Sequence, residues 1–145
     1  MEELSVRIVT DEQELNSVIE IRQQVFVIEQ GVLPELEMDE LDEKALHIIA
    51  DYRGQPIATC RLIFLPNECV KLERMAVLKS FRDKGVGRQI LDYVDKEIKS
   101  RQIKLLVIHA QFQAISFYES SGFKSVGLPF WEAGIKHLKM EKQVN

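Results

Sequence analysis

"FRDKGVGRQIL", Phe81 to Leu91, is the stretch on which the fold turns. Gly85 and Gly87 stand two apart among Arg82, Lys84 and Arg88, and Val86, Ile90 and Leu91 begin an apolar stripe at helical spacing. Glycine lets an anion approach the backbone without meeting a Cβ. A helix start offers unpaired N–H groups and the positive end of a dipole. The stretch therefore reads either as a phosphate cradle or as a plain tight turn into a helix. Two familiar nucleotide patterns are excluded. Ile90 stands where a dinucleotide fingerprint needs its third glycine, and seven residues separate Val77 from Gly85, whereas that fingerprint follows its strand directly. No Gly-Lys-Ser/Thr follows, which removes the P-loop.

Working outward, Val86, Ile90, Leu91, Val94 and Ile98 predict a helix to about Ser100. Upstream lie three β-rich runs, "ALHIIADY", "IATCRLIFL" and "CVKLERMAV", divided by Arg53-Gly54 and Pro66-Asn67. Connections this short predict consecutive antiparallel strands. Before them "LSVRIV" alternates as a strand, and Thr10 to Gln13 reads as a capping box. Leu15, Val18, Ile19, Arg22, Val25 and Phe26 predict a helix over 11–27, ended by Gly31 and Pro34. The acidic run "PELEMDELDEK" reads as a solvated loop. Downstream, "KLLVIHA" predicts a buried strand and "AISFYESSGF" a short helix with Gly122 just past its end. "FKSVG" and "KHLKMEK" predict closing strands. The expected fold class is α/β (mixed α+β): a central mixed, mostly antiparallel twisted sheet with helices on both faces, in one domain over 1–145.

The chain has 145 residues, 46% hydrophobic and 29% charged, with a net charge of -4. That is an ordinary globular composition, and it gives no support for a nucleic-acid partner. Cys60 and Cys69 are too few for a disulfide scaffold and form no CxxC, so free thiols in a cytoplasmic protein are expected. "MEELSVRIVTDEQEL" lacks the basic and apolar regions of a signal peptide, and no 18-residue apolar run occurs. No membrane partner is expected.

"LERMAV", "FRDKGVGR" and "AISFYESSGF", in this order, resemble the GNAT N-acetyltransferase superfamily. Its phosphate-loop pattern, Arg/Gln-x-x-Gly-x-Gly/Ala, is matched by Arg82, Gly85 and Gly87. "RQQVFVIEQGV", "ALHIIA" and "GIKHLKMEK" are similar to the small bacterial branch that contains ElaA and YjcF, and the resemblance covers nearly the whole chain. It implies strands that splay apart to open a cleft, acetyl-CoA as co-substrate, and transfer to a primary amine of a small molecule or protein. It places Arg82, Asp83, Lys84, Gly85, Val86, Gly87 and Arg88 around the pyrophosphate. Met75, Ala76 and Val77 would run along the pantetheine arm, with the Val77 amide polarising the thioester carbonyl. Tyr118 would give a proton to the departing thiolate. Where many relatives carry an Asn that bonds the pantetheine, this chain has Gln111, whose longer amide can make the same bonds. A homodimer fits the family's habit. Two alternatives stay open: a non-catalytic acyl-CoA sensor, and transfer of a different acyl group.

The acceptor needs a base, because at a pKa near 10.4 roughly one primary amine in a thousand is unprotonated at neutral pH. Glu73 is one candidate, and strand alternation puts Glu73, Met75 and Val77 on one face. The alternative for Glu73 is a carboxylate paired with Arg or Lys of a neighbouring strand. His47, His109 and His137 each lie in or beside an apolar strand, where an imidazole needs a partner. They read as cleft residues or as separate buried groups, with His109 and His137 the candidates for the substrate side. Glu29, Glu37 and Asp39 could attract a cationic amine or belong to a solvated loop. No pair of ligands has the spacing of a metal site, and the acidic run lacks the central glycine of a calcium loop.

Overall fold

A computed structural model describes residues 3–145. The strands are β1 (Leu4–Ile8), β2 (Leu46–Tyr52), β3 (Gln55–Leu65), β4 (Cys69–Val77), β5 (Leu105–Gln111), β6 (Lys124–Glu132) and β7 (Ile135–Gln143). The α-helices are α1 (Glu12–Arg22), α2 (Pro34–Glu37), α3 (Val86–Ser100) and α4 (Ile115–Ser120). The strands form one sheet in the order β1-β2-β3-β4-β5-β7-β6. Every ladder is antiparallel except β4 with β5. That parallel ladder is short, from Cys69↔Leu105 to Leu72↔Ile108. Beyond it the strands part. Glu73–Val77 and His109–Gln111 then face each other across a gap, and this is the expected mixed sheet with its splay.

The apolar stripe that predicted α3 explains where that helix sits. Val86, Ile90, Leu91, Val94 and Ile98 are all buried, and they pack with Ile48, Leu62, Val70, Leu106 and Ile108 on one face of the sheet. Burying each such side chain contributes roughly 1.5–3 kcal/mol. The other face is covered by Ile21, Val25 and Phe26, which meet Ala76. α4 ends as its sequence predicts. Gly122, at φ +95°, donates to the Glu119 carbonyl, Phe123 N–H donates to the Tyr118 carbonyl, and the Phe123 ring closes on Tyr118 at 5.4 Å.

Four expectations are corrected. The cap of α1 is Asp11, not Thr10: Asp11 Oδ1 accepts the Glu14 N–H at 2.8 Å, while Glu14 reaches back to Thr10. Asp11 has the extended backbone of a cap, so its carboxylate meets the free N–H groups. The first helix does not stop at residue 27. It widens into a π-helical segment, Gln23–Glu29, closed by an N–H of Gln30 donating five residues back to the Val25 carbonyl.

The acidic run is not a solvated loop. It folds as α2 and a 3₁₀ turn, Glu40–Glu43, over two fully buried arginines. Arg22 donates to Glu37 at 2.5 Å and to Asp42 at 2.6 Å. Arg61 forks onto Asp39 at 2.7 and 2.9 Å and reaches Asp42 at 2.8 Å. A buried guanidinium demands such partners, and the run supplies them.

Nor does β4 alternate regularly. Between the pairs Thr59↔Ala76 and Arg61↔Glu73, one β3 residue faces Arg74 and Met75 together, and Arg74 takes φ +57°. This bulge shifts the side-chain phase. Leu72, Met75 and Val77 therefore join the α3 face, whereas Glu73 bonds Arg61 and Ala76 packs under α1. Glu73 does not share a face with Met75 and Val77.

Candidate functional site

The splay opens a cleft of about 820 Å³ between the two sheet halves. Its floor on the α3 side is the glycine loop. Asp83 and Gly85 both have left-handed backbone, φ +62° and +80°. Gly85 is the N-cap of α3 and supplies no side chain to its first N–H groups. Nothing lies within 4 Å of the position a Gly85 Cβ would take, and Gly85, Val86 and Gly87 all line the cleft, so that helix start is open to it. Gly87 meets a different neighbour: a Cβ there would sit 3.0 Å from Phe117 Cζ, so that half-buried ring would have to give by a few tenths of an ångström.

The loop's cations are partly committed. Arg82 donates from Nε to the Val77 carbonyl at 2.9 Å and from Nη2 to Glu29 at 2.8 Å, which fastens the loop to β4 and to the end of the first helix. Arg88 donates to Ser120 Oγ at 3.3 Å. Arg82, Asp83, Gly85, Val86, Gly87 and Arg88 line the cleft. Lys84 does not; its ammonium lies 5.9 Å from the Phe81 ring centroid.

Met75, Ala76, Val77, Gln111 and Tyr118 also line the cleft. Tyr118 is buried between Phe117 and Phe123, with ring centroids at 5.0 and 5.4 Å. Burial, with a smaller contribution from Cys60, pushes its hydroxyl well above the usual phenol range, so it stays protonated at neutral pH. Gln111 and Gln30 exchange amide hydrogen bonds at 2.9 and 3.2 Å, joining the tip of β5 to the end of the first helix. Gln113 donates to Gln111 as well.

The α1 side of the cleft carries the remaining polar groups. His109 and His137 both line it, together with Glu132. His109 Nδ1 lies 3.2 Å from Glu132 Oε1, and the ring stands edge-on to Phe130 with centroids 4.9 Å apart. His137 donates from Nδ1 to the Ile135 carbonyl at 2.7 Å and keeps Nε2 3.8 Å from Glu132. His47 is elsewhere, bonded to the Asp42 carbonyl at 2.9 Å. Glu73 lines the cleft but is held by Arg61 at 3.1 Å and Lys71 at 3.2 Å. Glu29 is engaged by Arg82 and lies outside the lining. Glu37 and Asp39 line the cleft through the arginine cluster, where Arg61 holds the Asp39 carboxyl below its usual range.

Sequence reasoning passed over Gln30, Arg74 and Glu132, all in the lining. Glu132 had a usable signal, since it precedes Ala133-Gly134 between two strands and so sits at the mouth of a hairpin. Arg74 had none, because a left-handed bulge at a non-glycine leaves no local mark. Among the described residues no group of three potential metal ligands converges, and no helix is long and apolar enough to cross a membrane.

The sequence profile described as "Acetyltransferase (GNAT) domain" matches residues 9–144. A Bacillus subtilis protein provisionally named an acetyltransferase is 37% identical over 143 residues, 97% of each chain. The uncharacterized N-acetyltransferase YjcF of the same organism is 35% identical over 136 residues, 93% of this chain and 96% of its own. In fold, the crystal structure of Escherichia coli ElaA superposes with a TM-score of 0.85 at 24% identity, covering 96% of this chain and 99% of that one. On these matches, the chain belongs to the GNAT family of acetyltransferases.

Proposed function

We propose that this chain transfers an acetyl group from acetyl-CoA to a primary amine of a small molecule or protein, by direct attack within the splay. The observation that carries this reading is the junction of an open, glycine-capped helix start with a buried phenol in one cleft. The N–H groups at the start of α3 would take the pyrophosphate, aided by Arg88. Met75, Ala76 and Val77 lie along the opened edge of β4, where unpaired backbone can bond a pantetheine arm as a neighbouring strand would. Gln111 supplies a side-chain amide on the opposite edge, and its bonds to Gln30 are of the kind such an arm would take over. The Val77 N–H would polarise the thioester carbonyl. Tyr118, kept protonated by its burial, would give its proton to the departing sulfur. The two cysteine thiols are free, which suits a cytoplasmic setting.

A thiol-release assay with acetyl-CoA and a panel of amines tests the reading. Tyr118→Phe is expected to lower kcat by about 100-fold, the low end for losing a general acid. CoA affinity by calorimetry should stay within twofold. Unchanged turnover in Tyr118→Phe removes the acid role. CoA binding without turnover on any amine would indicate a sensor, and turnover only with longer acyl-CoA donors would indicate a different acyl group.

A further inference from the structure

We propose that His109 is the base that deprotonates the acceptor amine and that Glu132 positions it; this rests on the acetyltransferase reading above. The two faces of the sheet carry the argument. On β5, Leu106, Ile108 and Ala110 point into the core under α3 and α4, so His109 points to the α1 side. Tyr118 belongs to the α3–α4 side. The splay is the opening between them. An amine entering from the α1 side meets His109 first and reaches a thioester lying in the gap, while the sulfur leaves toward Tyr118. Acid and base thus stand on opposite faces, as a displacement through the opening requires.

The ring is held for this work. Glu132 Oε1, 3.2 Å from Nδ1, accepts that N–H and leaves the Nε2 lone pair unbonded; no described residue hydrogen-bonds Nε2. This is the logic by which a carboxylate fixes an imidazole tautomer in acyl-transfer enzymes. Phe130 abuts the ring edge-on, at an interplanar angle of 77°, and itself stacks on His137. Glu132 is placed by a two-residue turn, with Ala133 at φ +51° and Gly134 at φ +75° between the paired residues Glu132 and Ile135. Two-residue turns are the commonest hairpin connections, and their geometry fixes the register of the strands they join. Of the competing groups, both Glu73 oxygens face cations, and His137, whose Nε2 lies 3.8 Å from Glu132, is set deeper in the cleft wall. His109 is also the more accessible imidazole, with 27% of its side chain exposed against 9% for His137.

The proton count closes. His109 Nε2 takes one proton from the ammonium and releases it to solvent. The amine lone pair forms the C–N bond as the carbonyl pair moves onto oxygen. That pair returns, the C–S bond breaks, and the Tyr118 proton goes to sulfur. The second proton of the amine nitrogen restores the phenol through water. One proton leaves in total.

Two measurements test the assignment. Ring ¹⁵N spectra of the free protein read the tautomer without any acceptor. The neutral His109 ring should carry its proton on Nδ1, and Glu132→Gln should transfer part of that population to Nε2. Kinetically, with spermidine, benzylamine and a lysine tripeptide as acceptors, His109→Gln should lower kcat about 100-fold with the KM for acetyl-CoA within twofold. Glu132→Gln should lower kcat about tenfold, an order-of-magnitude share of the same effect. Free imidazole should restore part of the His109→Ala rate, which a merely structural role would not allow. Wild-type kcat in His109→Gln, or a neutral ring protonated on Nε2, overturns the assignment and leaves the acetyltransferase reading intact. A wild-type protein that binds CoA and acetylates none of these amines overturns both.

Discussion

Asp42→Asn should destabilise the protein by about 2 to 4 kcal/mol at neutral pH. Asp42 lies in the 3₁₀ turn, where Oδ1 accepts from Arg22 and Arg61 at 2.6 and 2.8 Å and Oδ2 from Arg22 at 3.2 Å. Burial alone would push its carboxyl up, but the two arginines outweigh it and hold it at about 2, against an ordinary 3.8. At 1.36 kcal/mol per pH unit, that displacement is worth about 2 kcal/mol of folding free energy. Removing the charge also leaves Arg22 and Arg61, both 1% exposed, short of a partner. Breaking a buried ion pair costs about 3–5 kcal/mol, and the amide oxygen of Asn keeps part of it. The folded value is depressed, so the stabilisation is complete above the ordinary carboxylate value and is lost as pH falls from about 4 toward 2. Urea unfolding followed by far-ultraviolet circular dichroism at pH 7 and pH 3 is the assay. The gap between wild type and variant should be large at pH 7 and narrow at pH 3. A variant within 0.5 kcal/mol of wild type at pH 7, on the order of ordinary surface substitutions, would refute the coupling.

Two further substitutions probe the loop. Gly87→Val places a branched side chain where even a Cβ would meet Phe117 at 3.0 Å, displacing Phe117 and its neighbour Tyr118. CoA affinity by calorimetry should fall at least about tenfold in a variant that still folds by circular dichroism, the effect of roughly 1.4 kcal/mol. Arg82→Ala cuts the ties to Val77 and Glu29. With hydrogen bonds to charged groups worth about 1.5–3 kcal/mol, the loosened loop should raise the CoA Kd about tenfold or more, and an unchanged Kd would show that the loop holds its shape without Arg82.

The elements that bury one apolar face were legible. The α3 stripe and the three-strand run before it predicted both their type and their packing, because period and burial coincide there. Gly122 gave the end of α4 through its backbone alone. The arginine cluster had a signal that was not followed. Arg22 interrupts the apolar stripe of the first helix, and Arg61 stands amid "IATCRLIFL". A cation at a core position must find carboxylates, and the acidic run is where they are. The position of Glu73 was misread because one left-handed residue, Arg74, reverses the side-chain phase of the strand. The pairings that build the α1 side of the site, Gln30 with Gln111 and His109 with Glu132, span 81 and 23 residues. Such partners follow from the folded topology, not from local pattern.

The short parallel ladder between β4 and β5 also divides the molecule mechanically. β1 to β4 form a meander of neighbouring strands, and β5 to β7 close on one another. Among the described residues, the only strand pairing that joins these halves is the four-residue ladder. With four pairs beside an open cleft, this seam should be among the first parts of the sheet to open. A ligand lying in the splay would grip both halves at the seam. Its binding should then slow amide exchange at Cys69–Leu72 and Leu105–Ile108 more than in the outer strands, joining two folding units into one cooperative body.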